Sequence, residues 1–154
     1  MQNQTNYTNA ILNCQKIGGD LANIVTDIRT NQLASLLNAT FLDWLKAAYV
    51  GLDNIENIGI FKSANGISLS CSNFRAWSPG HPRSKNKHER CVILDADKTW
   101  RVVNCKLKMS SICELYPSAP PKIVEEFEFR DCEAITDQRN VFCCIIFVFL
   151  NILF

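Results

Sequence analysis

The placement of the cysteines limits this chain more than any other feature. Cys91 and Cys105 lie either side of Trp100, and Cys14 and Cys113 bracket most of the sequence around them. Cysteines so far apart do not form one compact metal motif by spacing, whereas two nested crosslinks would staple a loop-rich domain. Closing the 14-residue step from Cys91 to Cys105 is worth roughly 3 kcal/mol on a chain-entropy basis, and the longer outer closure somewhat more. Eight cysteines also favour an oxidising compartment, because intracellular glutathione would hold most of them reduced. Asn3, Asn6 and Asn38, each followed two residues later by Thr, fit the glycosylation acceptor pattern of exposed segments in exported proteins.

A length of 154 residues, 47% hydrophobic and 20% charged, suits one domain with a real core plus an appendage. The net charge of +1 gives no field directed at nucleic acid. Met1 is followed by Gln2, Asn3, Gln4, Thr5 and Asn6, which do not read as a signal peptide, so an exported form is expected to begin upstream.

From Thr8 to Ile17 the residues Ala10, Ile11, Cys14 and Ile17 repeat at helical spacing, and Gly18-Gly19 supplies a left-handed stop. Thr26 or Asp27 caps a second helix, predicted to bury Ile28, Leu33, Leu36 and Leu37 and to end near Asn38. The period then changes. Ala48, Val50 and Leu52 alternate with Tyr49 and Gly51, and Asn65-Gly66 reads as a tight turn between strands at Ile58–Lys62 and Ile67–Cys71. Cys91–Leu94 and Thr99–Val103 flank Asp95-Ala96-Asp97-Lys98 as a further hairpin, and Ser111–Leu115 makes a last strand. Two helices followed by short strands give an α+β domain.

The stretch from Thr8 to Leu115 resembles a C-type lectin-like domain. Ala10 and Cys14 followed by Gly19-Asp20-Leu21-Ala22 match that family's first helix and its exit. Tyr49-Val50-Gly51-Leu52 resembles its Trp-Ile-Gly-Leu strand, and Trp77-Ser78-Pro79-Gly80-His81-Pro82 its approach to the long loop. Cys91, Trp100, Cys105 and Ile112-Cys113-Glu114 follow in order. The resemblance implies the pairs Cys14–Cys113 and Cys91–Cys105, with two helices flanking short antiparallel strands and a long loop between them. It covers residues 1–116 without the family's first strand, so the last strand is expected to have an open edge.

Many family members bind calcium in the long loop and hold sugar hydroxyls through it. Such an ion wants six to eight oxygen ligands. Where calcium-binding members carry Glu-Pro-Asn or Gln-Pro-Asp this chain has His81-Pro82-Arg83, and for Trp-Asn-Asp it has Trp100-Arg101-Val102. Glu89 alone remains an acid, with Asn104 or Asp95 as substitute donors, so calcium is disfavoured and no cofactor is expected. The loop is instead basic. Arg83, Lys85, Lys87 and Arg90, with His88 and Arg101, could bind a sulfated or phosphorylated glycan or an acidic protein surface, although a merely solvated loop is the simpler reading. The candidate ligand-binding set is therefore His81, Arg83, Lys85, Lys87, Glu89, Arg101 and Asn104.

Trp77 and Trp100 are expected to pack in the core, and Trp44 to help cover it. His81 and His88 stand seven apart on a loop, not at zinc-helix spacing, and neither a nucleophile elbow nor a glycine-rich phosphate loop is present. The expected function is non-enzymatic extracellular recognition of a glycan or protein, with a structural protein-interaction module as the alternative.

Residues 117–154 change character. Pro117, Pro120 and Pro121 form a stiff linker, a charged stretch follows, and Val141–Phe154 is apolar apart from Asn151. As a helix these 14 residues would reach about 21 Å, short of the roughly 30 Å hydrocarbon core, so membrane attachment is a weak reading. A truncated anchor, the start of a further domain and translated non-coding sequence all fit the tail, and its abrupt apolar end favours the last. Cys71, Cys132, Cys143 and Cys144 have no partner fixed by spacing, though Cys71 with Cys132 is geometrically allowed.

Overall fold

The computed structural model describes residues 4–40, 46–82 and 88–115. Trp44, Asn3, the loop cations Arg83, Lys85 and Lys87, and the whole of the tail lie outside them.

Helix α1 (Tyr7–Lys16) begins where the Asn6 side chain accepts the Asn9 N–H at 2.9 Å, and it ends at Gly18, whose φ of 79° continues the chain at no steric cost. Tyr7, Ala10 and Cys14 form its buried face. Helix α2 (Asp27–Thr40) is capped by Thr26, whose Oγ1 accepts the Arg29 N–H at 3.3 Å. Its buried stripe is Thr30, Leu33, Ala34 and Leu37. Ile28 is 68% exposed, against the sequence expectation, because it falls on the opposite side of the helix from that stripe.

Between the helices stand β2 (Ala47–Asp53), β4 (Glu89–Asp95) and β5 (Trp100–Asn104), joined antiparallel in that order. Residues 47–52 of β2 are all buried, which alternation alone does not predict. The sheet divides two cores. Ala48, Val50, Leu52, Val92, Leu94, Trp100 and Val102 pack toward α2, whereas Ala47, Tyr49, Cys91 and Ile93 pack toward α1.

Two expectations about strands need correction. The hairpin around Asn65-Gly66 keeps its turn, with Gly66 at φ 82° and Ser63 N–H bonded to Ile67 O at 2.9 Å, but its strands are short. Only β3 (Lys62–Ser63) joins the sheet, and the returning arm becomes a 3₁₀ helix, η1 (Leu69–Cys71), capped by Ser68. Gly59 at φ 86° and the bond from Ile60 N–H to Asn57 O turn the chain before β3, leaving Ile58 and Ile60 in solvent. The expected final strand is two: β6 (Ser110–Ser111) lies parallel to β2, and β7 (Cys113–Leu115) pairs with β1 (Gly19–Leu21). The stretch following α1, read from sequence as a helix exit, thus supplies one edge of β7.

Both nested disulfides are present. Cys14–Cys113 ties α1 to β7 across a separation of 99 residues, and Cys91–Cys105 ties β4 to the turn after β5 across 14. Cys71 is disulfide-bonded as well. A further clasp joins α2 to β7: the Arg29 guanidinium lies 2.5 Å from the Glu114 carboxylate, which also accepts the Asn23 N–H.

Candidate recognition site

The base of the long loop is set by aromatic packing. Trp100 is fully buried and meets Trp77 and Phe74 edge-on, each with ring centroids at 5.4 Å, while Phe61 packs on Trp77 at 4.9 Å. Trp77, at the partly buried end of this cluster, is a packing residue as its sequence position suggests. Trp100 N–H donates to Ala76 O at 2.7 Å and Ser78 N–H to Trp100 O at 2.9 Å, so residues 76–78 run alongside the first residue of β5. Gly80 then turns at φ 81°, His81 N–H donates to Ser78 O at 2.9 Å, and the His81–Pro82 peptide is cis.

This path brings the His81 ring over β5, where Nδ1 accepts the Val102 N–H at 3.1 Å. Alternation along β5 sends Val102 and Arg101 to opposite faces. Val102 enters the core beside Trp100, and Arg101 emerges on the other face, next to Asp95 across the hairpin. There Nε and Nη2 donate to the two Asp95 oxygens, each at 2.5 Å, a fork-to-fork pair. These hydrogen bonds raise the Arg101 pKa above its ordinary value, so the guanidinium stays charged and committed to Asp95.

Glu89 and Asn104 face one another at the far end of the same strand pair. The Asn104 side chain accepts the Lys106 N–H at 3.0 Å and shapes the turn after β5, and its carbonyl lies 3.2 Å from the Tyr49 hydroxyl. One carboxylate oxygen of Glu89, Oε2, is buried with no hydrogen-bond partner among the described residues. The structure therefore brings Glu89 and Asn104 together and sets His81 on β5, but directs Arg101 away from them.

As a calcium site this donor set fits badly. His81 presents nitrogen and uses it on backbone, Val102 is apolar, Arg101 is a cation, and Asp95 is engaged by Arg101. No group of three or more His, Cys, Asp or Glu among the described residues is arranged to hold a metal ion. The Asp95–Arg101 pair had a visible sequence signal, an acid and a base flanking one tight hairpin, which marks cross-strand neighbours.

Elsewhere, a cavity of about 200 Å³ opens between α1, β1 and the 53–66 region, lined by Tyr7, Asp20, Asp53 and Lys62 among others, and contains none of the predicted site residues. Of the sequons, Asn6 serves as the α1 cap, and Asn38 is exposed, with its amide 3.4 Å from Ala96 O. No helix among the described residues is long and apolar enough to cross a membrane.

Residues 3–115 match the family described as the Lectin C-type domain, and the chain belongs to that family. Among relatives, Collectin-10 of Gallus gallus is 28% identical over 114 residues, covering 74% of this chain and 39% of that protein. The chain thus spans well under half the length of this relative. Human lithostathine superposes with a TM-score of 0.64 at 25% identity, covering 73% of this chain and 85% of the other. A calcium-independent type II antifreeze protein superposes with a TM-score of 0.59 at 20% identity, covering 73% and 79%, a likeness of fold.

Proposed function

We propose that this chain is a non-enzymatic extracellular recognition module that engages its ligand without calcium. The observation that carries this reading is the Arg101–Asp95 pair: a residue at a calcium-ligand position of the resemblance is a cation, and it is paired with the Asp95 carboxylate. Glu89 alone supplies far fewer oxygens than the six to eight a calcium ion takes. An antifreeze protein of similar fold is described as calcium-independent, which accords with the reading.

The ligand in this reading is anionic, a sulfated or phosphorylated glycan or an acidic protein surface. Arg83, Lys85, Lys87, His88 and Arg90 supply the positive charge in this reading, and His81, Glu89 and Asn104 belong to the same candidate set. Arginine forks give charge-assisted bonds to such oxyanions. A protein-interaction module that touches no glycan is the second reading, favoured by the commitment of Arg101 to an internal partner.

Glycan-array binding with and without calcium, followed by a salt series on a heparin-like polymer, tests both. Calcium-independent binding that weakens steeply with salt is expected. Calcium-dependent binding of mannose or galactose overturns the proposal, and the absence of any glycan binding selects the second reading.

A further inference from the structure

The β4–β5 ladder closes at the facing pair Glu89 and Asn104, and the Cys91–Cys105 disulfide locks that end. His88 and Arg90 flank Glu89 on the β4 side. On the other side β5 runs into a turn shaped by Asn104, whose side chain accepts the Lys106 N–H and whose carbonyl accepts the Leu107 N–H, both at 3.0 Å. The buried Tyr49 donates its hydroxyl to Leu107 O at 3.0 Å, which pins the turn to the sheet. Lys106, Leu107 and Lys108 all face solvent. One exposed leucine is ordinary on a surface, so the two lysines give the turn its character. No ion pair among the described residues engages Lys106 or Lys108.

The surroundings add to this charge. Tyr7 N–H donates to Cys105 O at 3.0 Å and Thr5 pairs with Met109, which sets the N-terminal end of α1 against the turn. That end carries the positive pole of the helix dipole, and its first turn has no acid to offset it. Two acids lie close by in the ladder. Glu89 has one carboxylate oxygen buried, and Asp53, opposite Cys91, accepts the Tyr7 hydroxyl at 2.9 Å and the Ile55 N–H at 3.0 Å. The positive charge thus lies on three separate segments, and none of the four basic side chains lines the cavity beside α1. Charge spread over an open surface suits a polymer with anions at intervals, not one small anion held in a pocket.

We propose that the 106–108 turn, with the N-terminal end of α1 beside it, is a second arm of the anion-binding surface, resting on the anionic-ligand reading above and narrowing that ligand to a sulfated polysaccharide chain. Such a chain runs from His88 and Arg90 across the Cys91–Cys105 link to Lys108.

Heparin fragments of graded length, titrated into the full chain over a salt series, test this, with Lys106→Ser plus Lys108→Ser as the variant. Both side chains are exposed, so the domain keeps its fold, which circular dichroism checks. A polyanion releases about one counterion per contact, so losing two contacts is expected to reduce the slope of log binding constant against log salt by roughly 1.5. Long fragments should bind the variant several-fold more weakly at low salt, while a disaccharide binds both proteins equally weakly. Long-fragment affinity and salt slope unchanged in the variant overturn this arm and leave the anionic reading standing. Affinity that does not grow with fragment length overturns the polymer as ligand, and an intact chain that binds no fragment overturns both readings.

Discussion

Thr30 shows how much one buried hydroxyl can hold together. Its Oγ1 donates to Ile24 O at 2.8 Å and accepts the Trp100 Nε1–H at 3.2 Å, linking α2, the loop before it and the aromatic cluster under the long loop. Thr30→Val keeps the shape and leaves both Trp100 N–H and Ile24 O without partners, at a cost of about 1–3 kcal/mol each way a buried group is orphaned. The urea midpoint should fall accordingly, and an unchanged midpoint would show that water takes over the hydroxyl's place. Sequence patterning marked Trp100 as core but could not reveal Thr30, because a Thr in a helix gives no sign of the residue 70 positions away that its oxygen serves. Tyr49 adds a pH dependence. Burial pushes its phenol from 10.0 up to about 12, so between those values the unfolded chain loses a proton that the folded chain keeps. Stability is therefore complete below pH 10 and declines as pH rises toward 12. Tyr7, whose pKa is also raised by burial and by Asp53, extends the loss in the same direction. Denaturation midpoints followed across this alkaline range should fall, and Tyr49→Phe should flatten the decline.

At the scale of elements, β2 owes its central position to Gly51. Its N–H donates to Ala22 O and its carbonyl accepts the Ala64 N–H, both at 2.9 Å, which draws β1 and the 62–67 turn against the strand. A Cβ there would sit 2.5 Å from Leu21 O and 2.7 Å from the Ala64 Cβ. Backbone cannot swing aside as a flexible side chain can, so Gly51→Ala should cost about 3 kcal/mol, at the upper end of typical overpacking effects. Thermal unfolding measures it, and a variant with wild-type Tm would mean that the β1–β2 approach relaxes freely. Helices α1 and α2 were legible because a cap and a 3.6-residue period are local signals. The misread hairpin had isoleucines of high β propensity but lacked the burial that turns propensity into a strand. The division of the last strand at Ile112 was illegible for a different reason. Ile112 N–H donates to Tyr49 O and its carbonyl accepts the Ala22 N–H, so the break is imposed by partners far away in sequence.

For the molecule as a whole, the covalent frame was the most legible feature, since a crosslink constrains topology whatever the local structure does. The long-loop chemistry was legible only as a list of residue types: alternation in β5, which decides that Val102 enters the core and Arg101 turns to Asp95, emerges once the register with β4 is fixed. The two disulfides should contribute unequally. The outer link closes a separation of 99 residues and the inner one 14, which on a chain-entropy basis corresponds to about 4.7 and about 3 kcal/mol. The outer link also anchors α1, which is tied to the C-terminal part of the domain by the β1–β7 pair, the bridge from Thr5 to Met109 and the bond from Tyr7 N–H to Cys105 O at 3.0 Å as well. Against a total of about 5–15 kcal/mol, its removal leaves a marginal domain. Cys14→Ser with Cys113→Ser should therefore lower the urea midpoint more than Cys91→Ser with Cys105→Ser, and should loosen amide protection in β1 and β7 before β2 and β4. The reverse order would mean that the turn after β5, and with it the base of the recognition loop, carries more of the fold's stability than loop closure alone provides.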